Sequence, residues 1–352
     1  MAKATRVELL KYLFALDEGA KRVLGVYFRI PEEEHPIVEV PTAFNFRLRG
    51  PVSNETLIWM IREVGDASPF EMATLFLVLL ATHQGGTFLD IGAHLGYFSL
   101  AAACNTSAPL EVHAFEPVRF YNRLLRENIA LNRQQRRITP YPFALSNADG
   151  EATIRVHGPY STMEEGWLET FERAEEGQER ITTRRLDTLF AGRELQSPVV
   201  VKIDVEGHEA AVLEGGVRFF TTQQVGAVFI EADAERTPRA QSALDRLEEW
   251  GFELYAIAPS VSQMGLISPV HRLPILPRSY VSVLQGQASN WLAIHPEHSP
   301  FESLEEIHLL YPLFISTRFM DDEELLRLSV HVRESLLKLR RQVTGSGTRE
   351  KH

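Results

Sequence analysis

TFLDIGAHLGYFSLAAA, residues 87–103, decides the fold. An apolar run ends on Asp90, a turn carrying Gly92 and Gly96 follows, and a helical pattern starts at Tyr97. Glycine lets the backbone come close to a ligand, and the first turn of a helix offers unpaired N–H groups. The spacing is D-x-G-x-x-x-G, unlike the G-x-G-x-x-G of dinucleotide sites, and His94 stands where the middle glycine would be. An acid at this strand end repels a pyrophosphate and suits a ligand that carries an ammonium.

The same rhythm continues outward. Short β-rich runs occur at 111–117 (EVHAFEP), 138–146 (ITPYPFALS), 199–207 (VVVKIDVEG), 227–233 (AVFIEAD), 252–259 (FELYAIAP) and 290–296 (NWLAIHP). Helical stretches lie between them at Tyr97–Cys104, Phe120–Asn132, Glu209–Phe220 and Pro238–Trp250. Strands alternating with helices predict βαβ crossovers, hence an α/β fold with a mostly parallel sheet and helices on both faces. Residues 1–84 read as mostly helical, opening with an amphipathic helix, with Pro31, Pro36, Pro41 and Pro51 forcing extended or turn segments. Two departures read as insertions. Residues 150–186 predict a small hairpin and then an acidic stretch, 163–179, with seven acids and one Arg; residues 260–289 form a proline-punctuated connection of the length lids have. Two helices are expected from 298 to 342, and 343–352 reads as a disordered tail.

The chain has 352 residues, a net charge of -11 and one cysteine, Cys104. The charge argues against a nucleic-acid or membrane-surface partner. A single cysteine excludes a disulfide framework and fits a reducing, cytoplasmic location. The N-terminal segment lacks the unbroken apolar core of a signal peptide, and Met72–Thr82 is too short to cross a bilayer.

Two further signals join Asp90. Glu116 ends the second strand, where a carboxylate can accept both hydroxyls of a ribose. In VVVKIDVEGHEAAVLEGG, Lys202, Asp204 and Glu206 interrupt an apolar run at period two and so share one face. Three ionisable groups at a buried strand end are costly unless they pair or work, and Gly207 and His208 follow at once.

The chain resembles the FkbM-type methyltransferases, part of the class I methyltransferase superfamily. The likeness rests on LDIGAHLGYFSL (89–100), HAFEPVRFYNRLLRENIALN (113–132), FALSNADGEA (143–152), RRLDTL (184–189) and VVKIDVEGHEAAVLEG (200–215). It implies a Rossmann-like seven-stranded sheet whose last strand is antiparallel, a methyltransferase domain over 70–297, and additions at 1–69 and 298–342. It also implies S-adenosyl-L-methionine as cofactor and S-adenosyl-L-homocysteine as product. Carried over residue by residue, it puts the methionine portion at Asp90, Gly92, Ala93, His94 and Gly96, the ribose at Glu116, and adenine near Pro117, Ala144, Leu145 and Ser146. His94 departs from the Asn of that family's loop. The acid that often follows the third strand is absent, leaving Asn147 or a backbone carbonyl to serve.

The expected reaction is O-methylation of a hydroxyl on a small molecule, a natural product or sugar. Asp204 is the first candidate base, Glu206 and His208 support it, and Lys202 holds a carboxylate. No dedicated metal site is expected, although Asp204, Glu206, His208, Glu231 and Asp233 form a donor set that suits magnesium or manganese. The competing readings are a methyltransferase of a peptide, protein or nucleic acid, and a cofactor-binding module without catalysis. The terminal helices offer a homodimer interface. The insertions, with Tyr160, Ser161, Trp167 and Phe171, are candidates for acceptor recognition.

Overall fold

The structure is a computed structural model that describes residues 35–52, 58, 61, 69–157, 160–164, 177–233, 238–257, 274–283, 288–308 and 310–311. The expected N-terminal helix, the acidic stretch at 165–176 with Trp167 and Phe171, much of the 260–289 connection, the last helix and the tail lie outside these residues.

Eight strands form the main sheet: β3 (Gly86–Ile91), β4 (Leu110–Phe115), β5 (Ile138–Tyr141), β9 (Val199–Ile203), β10 (Val225–Glu231), β11 (Glu253–Ile257), β12 (Ile275–Pro277) and β13 (Asn290–Ile294). Their order is β12-β11-β13-β10-β9-β3-β4-β5. The pairs β4–β5, β3–β4, β3–β9 and β9–β10 are parallel, and β13 runs antiparallel to both its neighbours, β10 and β11. Seven of these strands match the expected sheet, with the last in the chain antiparallel. The eighth, β12, is a three-residue edge strand from within the 260–289 insertion, so that connection partly extends the sheet.

Period-two alternation builds both faces. Phe88, Val112, Val200 and Phe229 join one apolar core with α1 (Pro69–Thr82), α2 (Tyr97–Cys104) and α3 (Arg119–Leu131). Leu89, Val199, Val201, Val228 and Ile230 join the other, with α4 (Leu186–Leu189), α5 (Glu209–Gly215), α6 (Val217–Thr222) and α7 (Pro238–Glu249). A short helix, α8 (Arg278–Val283), follows β12 directly. All five residues of β9 are buried, as its continuous apolar run requires of a strand covered on both sides.

Two expected elements are divided. The run 138–146 is two strands, because the chain leaves the main sheet at Pro142–Phe143 and Ala144–Leu145 (β6) pairs instead with β8 (Gly177–Arg184). There β8 also pairs antiparallel with β7 (Gly150–Val156), which is the expected hairpin of the first insertion. The helix expected over 209–220 breaks at Gly215–Gly216. A Cβ at Gly215 would stand 1.9 Å from the Ser146 carbonyl oxygen, so the backbone of β6's loop occupies the space a side chain would need.

The hairpin β1 (Ile37–Pro41) and β2 (Arg47–Pro51) lies in the region expected to be a separate addition, yet Val40, Phe44, Phe46 and Leu48 belong to the α1–α3 core. Its outer edge is held by side-chain amides. Asn128 donates to and accepts from the backbone of Arg49 (2.9 and 2.7 Å), and Asn132 does the same with Arg47 (2.7 and 2.8 Å). One helical turn on α3 therefore matches the two-residue repeat of a strand, and the amides satisfy a sheet edge that would otherwise need another strand.

Candidate active site

Because β3, β4, β9 and β10 are parallel, Ile91, Phe115, Ile203 and Glu231 all end at one edge. A cavity of about 530 Å³ opens there, of a size usual for small-molecule sites.

The turn after β3 forms one wall. Gly92 has φ +84°, and a Cβ on it would lie 1.8 Å from the Asp204 carbonyl oxygen. Glycine is thus what lets the β3 and β9 loops touch. Asp204 N donates to Ile91 O (3.0 Å), while Gly92 N and Ala93 N both donate to Phe115 O (3.0 and 2.9 Å). The three loops are tied by backbone before any ligand enters.

Glu116 is 5% exposed and lines the cavity. His94 N donates to its Oε2 (3.0 Å) and Val118 N to its Oε1 (2.8 Å). A carboxylate offers about four acceptor sites, so two remain for a ligand. Burial pushes its carboxyl up to about 7 against those two N–H groups. His94 also lines the cavity, its ring 4.2 Å from that of Tyr121, and its buried Nε2 has no protein partner. Burial lowers the His94 imidazole to about 4, so it is neutral.

Asp90 sits deeper than the sequence suggested. It is 1% exposed and is not part of the cavity wall. Its Oδ2 accepts from Ser99 Oγ (2.6 Å) and Ser99 N (3.1 Å) on α2, while Oδ1 is buried without a partner. Burial raises its carboxyl, with Lys202, its partner in register on β9, pulling the other way.

Lys202 donates to Asp204 Oδ2 (2.7 Å) and lies 4.8 Å above the Phe98 ring. Burial pulls the ammonium down, but Asp204 and Asp90 outweigh it, so it stays charged. Burial likewise pushes Asp204 up, yet Lys202 and a hydrogen bond from Glu231 hold it below the usual carboxylate range. Glu231 is raised well above that range by burial and by Asp204 and Glu206, so it keeps its proton and donates to Asp204. Removing one member of such a buried pair costs roughly 3–5 kcal/mol.

The loop carrying Asp204 and Glu206 is unusual backbone: Glu206 has φ +52° and Gly207 +95°. Glu209 is 3% exposed and clamps it, accepting from Val205 N (3.3 Å) and Gly207 N (3.1 Å). Thr162 of the first insertion donates to Glu206 O (2.6 Å). His208 is not part of the cavity wall. Its Nδ1 lies 2.6 Å from Glu164 Oε1 and its Nε2 2.9 Å from Ser146 Oγ, and burial lowers it to about 4. Glu164 also pairs with Arg239 of α7.

The structure therefore gathers Gly92, Ala93, His94, Glu116, Pro117, Ala144, Leu145, Lys202, Asp204 and Glu206 around the cavity. Gly96, Asp90, Ser146 and His208 lie outside the wall. Sequence reasoning passed over Thr74, Met163 and Asn290, which line it. It also passed over Glu164, whose position inside an acidic run carried no signal. Glu231 and Asp233 were read as strand-end acids of the next strand, and Glu231 lines the wall.

A sheet of this order, with a glycine turn and paired acids at the carboxyl ends of its central strands, defines a class I methyltransferase fold. Residues 90–254 match the family model described as the methyltransferase FkbM domain. The hexuronic acid methyltransferase AglP of Haloferax volcanii is 31% identical over 182 residues, which cover 52% of this chain and 69% of that protein. The chain belongs to the FkbM methyltransferase family. Among solved structures, an FkbM methyltransferase from Methylobacillus flagellatus is 16% identical with a TM-score of 0.33, the match covering 56% of each chain. An O-methyltransferase from Bacillus cereus, solved with SAH, is 13% identical with a TM-score of 0.37, covering 69% of this chain and 92% of that one.

Proposed function

We propose that the chain is an S-adenosylmethionine-dependent O-methyltransferase acting on a hydroxyl of a sugar or other small molecule. The observation that carries this is the acid-rich cavity at the edge where β3, β4, β9 and β10 end. Its described wall holds Glu116, Asp204, Glu206 and Glu231 against Lys202. That excess of acid suits a cofactor bearing both a sulfonium and an ammonium. The two acceptor sites of Glu116 that His94 N and Val118 N leave open suit a ribose diol. The residues present thus fit the cofactor. Bound there, it supplies a methyl group on positively charged sulfur.

Within that arrangement Gly92 and Ala93 let the backbone pass close to the methionine portion, and Glu116 orients the ribose. Ala144, Leu145 and Pro117 supply apolar surface for adenine. Asp204 would accept the hydrogen bond of the acceptor hydroxyl and take its proton, leaving that oxygen able to receive the methyl group the bound cofactor would supply. Lys202 and the proton on Glu231 hold Asp204 ionised and in place beforehand. Most of the rate comes from alignment in a water-poor site, with proton transfer assisting. His208 acts from behind, fixing Glu164 and Ser146. That a relative is named for hexuronic acid supports a saccharide acceptor.

The experiment is methyl transfer from labelled cofactor to pools of saccharides, other small molecules, peptides and RNA. Label should appear in the saccharide or small-molecule pool as an alkali-stable methyl ether and be lost in Asp204→Asn. Label in peptide or RNA alone, or none in any pool, refutes the reading.

A further inference from the structure

At the opposite edge of the sheet, β13 ends in the turn His295-Pro296-Glu297-His298. One ligand atom from each of His295, Glu297 and His298 lies within 4.8 Å of the others. The two imidazoles are stacked, with centroids 4.8 Å apart and planes 17° apart. The turn is held by backbone: His295 N donates to Gly226 O (3.0 Å) and His298 N to His295 O (3.1 Å). Gly226 has no room for a side chain, since a Cβ there would stand 2.1 Å from His298 O. The Phe252 and His295 rings stand nearly perpendicular, with centroids 5.2 Å apart. Both histidines are half-buried on a fixed turn rather than loose on the surface.

The Glu297 amide donates a long bond of 3.3 Å to His295 Nδ1, which places that nitrogen's lone pair on the side of the turn where Glu297 lies. We propose that this turn is a binding site for a divalent transition ion of the zinc type, through His295, Glu297 and His298. Two imidazoles and one carboxylate are a borderline donor set that selects zinc, nickel or copper over magnesium or calcium, which prefer oxygen alone. Zinc ligands stand about 2.0–2.2 Å from the ion, hence roughly 3.5 Å from one another. Side-chain rotation of about 1 Å closes the cluster onto the metal, replacing the weak Glu297 N–His295 bond. Three protein ligands leave a position for water. β10 separates this turn from the cavity by seven residues, roughly 20 Å of strand. The ion therefore fixes the turn that follows β13, which the backbone already ties to Gly226 of β10, and stays clear of the reacting atoms.

The test uses the full chain, stripped with chelator, titrated with zinc chloride by calorimetry and melted over a series of zinc concentrations. One equivalent should bind, and Tm should rise with the logarithm of free zinc. Magnesium chloride should do neither. His298→Gln and Glu297→Gln should weaken binding roughly tenfold or more, with circular dichroism showing both variants folded. Glu206→Gln, in the cavity's own carboxylate cluster of Asp204, Glu206 and Glu231, should leave zinc binding unchanged. Absence of zinc binding, equal binding in the two turn variants, or loss of binding in Glu206→Gln overturns the proposal.

Discussion

Gly92→Ala tests whether the close approach of two loops builds the cavity. A Cβ at this position would stand 1.8 Å from the Asp204 carbonyl oxygen and 2.9 Å from its carbon. Real Cβ atoms essentially never come within 3.0 Å, so the β3 and β9 loops must part by at least 1.2 Å. Both contacts are backbone, and no flexible side chain can yield instead. Parting them stretches the 3.0 Å bond from Asp204 N to Ile91 O, which contributes about 1 kcal/mol. A non-glycine residue at φ +84° adds about 1–2 kcal/mol. The expected loss of stability is about 2–3 kcal/mol, read as a lower urea midpoint at unchanged m-value. Cofactor affinity should fall at least tenfold, because the Gly92–Ala93 turn proposed to pass the methionine portion is itself displaced. Gly177→Ala is the control: nothing among the described residues lies within 4 Å of its Cβ, and the change should stay within about 0.5 kcal/mol. A Gly92→Ala protein with the parent's midpoint and affinity would refute the reasoning.

Three further outcomes are expected. Burial holds the Glu116 carboxyl up at about 7, above its ordinary 4.5, so the folded chain keeps a proton that the unfolded chain has released. Its contribution to stability is present below about 4.5 and is lost as pH rises through about 7, by on the order of 3 kcal/mol. His94 and His208, lowered to about 4, act oppositely, losing stability as pH falls below their ordinary 6.5. The Glu116 effect is therefore read as the parent minus Glu116→Gln difference in urea unfolding between pH 5 and 8, and a pH-independent difference contradicts it. Asn128→Ala leaves the Arg49 N–H and C=O and the Leu95 C=O without partners and should cost about 2–3 kcal/mol, with faster hydrogen exchange at the Arg49 amide. Glu164→Ala frees His208 and Arg239 together and should raise the acceptor KM more than it lowers kcat, since Tyr160, Ser161 and Met163 line the cavity from the same segment.

Much of the scaffold is legible in residue pattern. Helix α2 was expected over the residues it occupies, and β9 announced a doubly covered strand through its unbroken apolar run. The divided elements were written too, but ambiguously: Pro142 and the Gly215–Gly216 pair marked breaks, while apolar continuity argued against them. What pattern could not carry is register in three dimensions. Nothing local says that Asn128 and Asn132 would meet the backbone of Arg49 and Arg47, or that the hairpin at 37–51 would enter the main core. At the site, strand-end acids were legible because buried charge is costly. Their division of labour was not. Asp90 faces α2, His208 faces Glu164, and the Asp204–Glu231 proton is set by burial and by the placement of Lys202, none of which a linear spacing encodes.

On the proposed function, the acid-rich edge of this sheet binds S-adenosylmethionine with Glu116 on its ribose. Calorimetric titration of the cofactor into the parent and into Glu116→Gln tests it most directly. Micromolar binding by the parent, weakened roughly tenfold or more in Glu116→Gln through loss of an acceptor oxygen for the ribose hydroxyls, is the expected result. Absence of binding by the parent, or equal affinity in the two proteins, contradicts it.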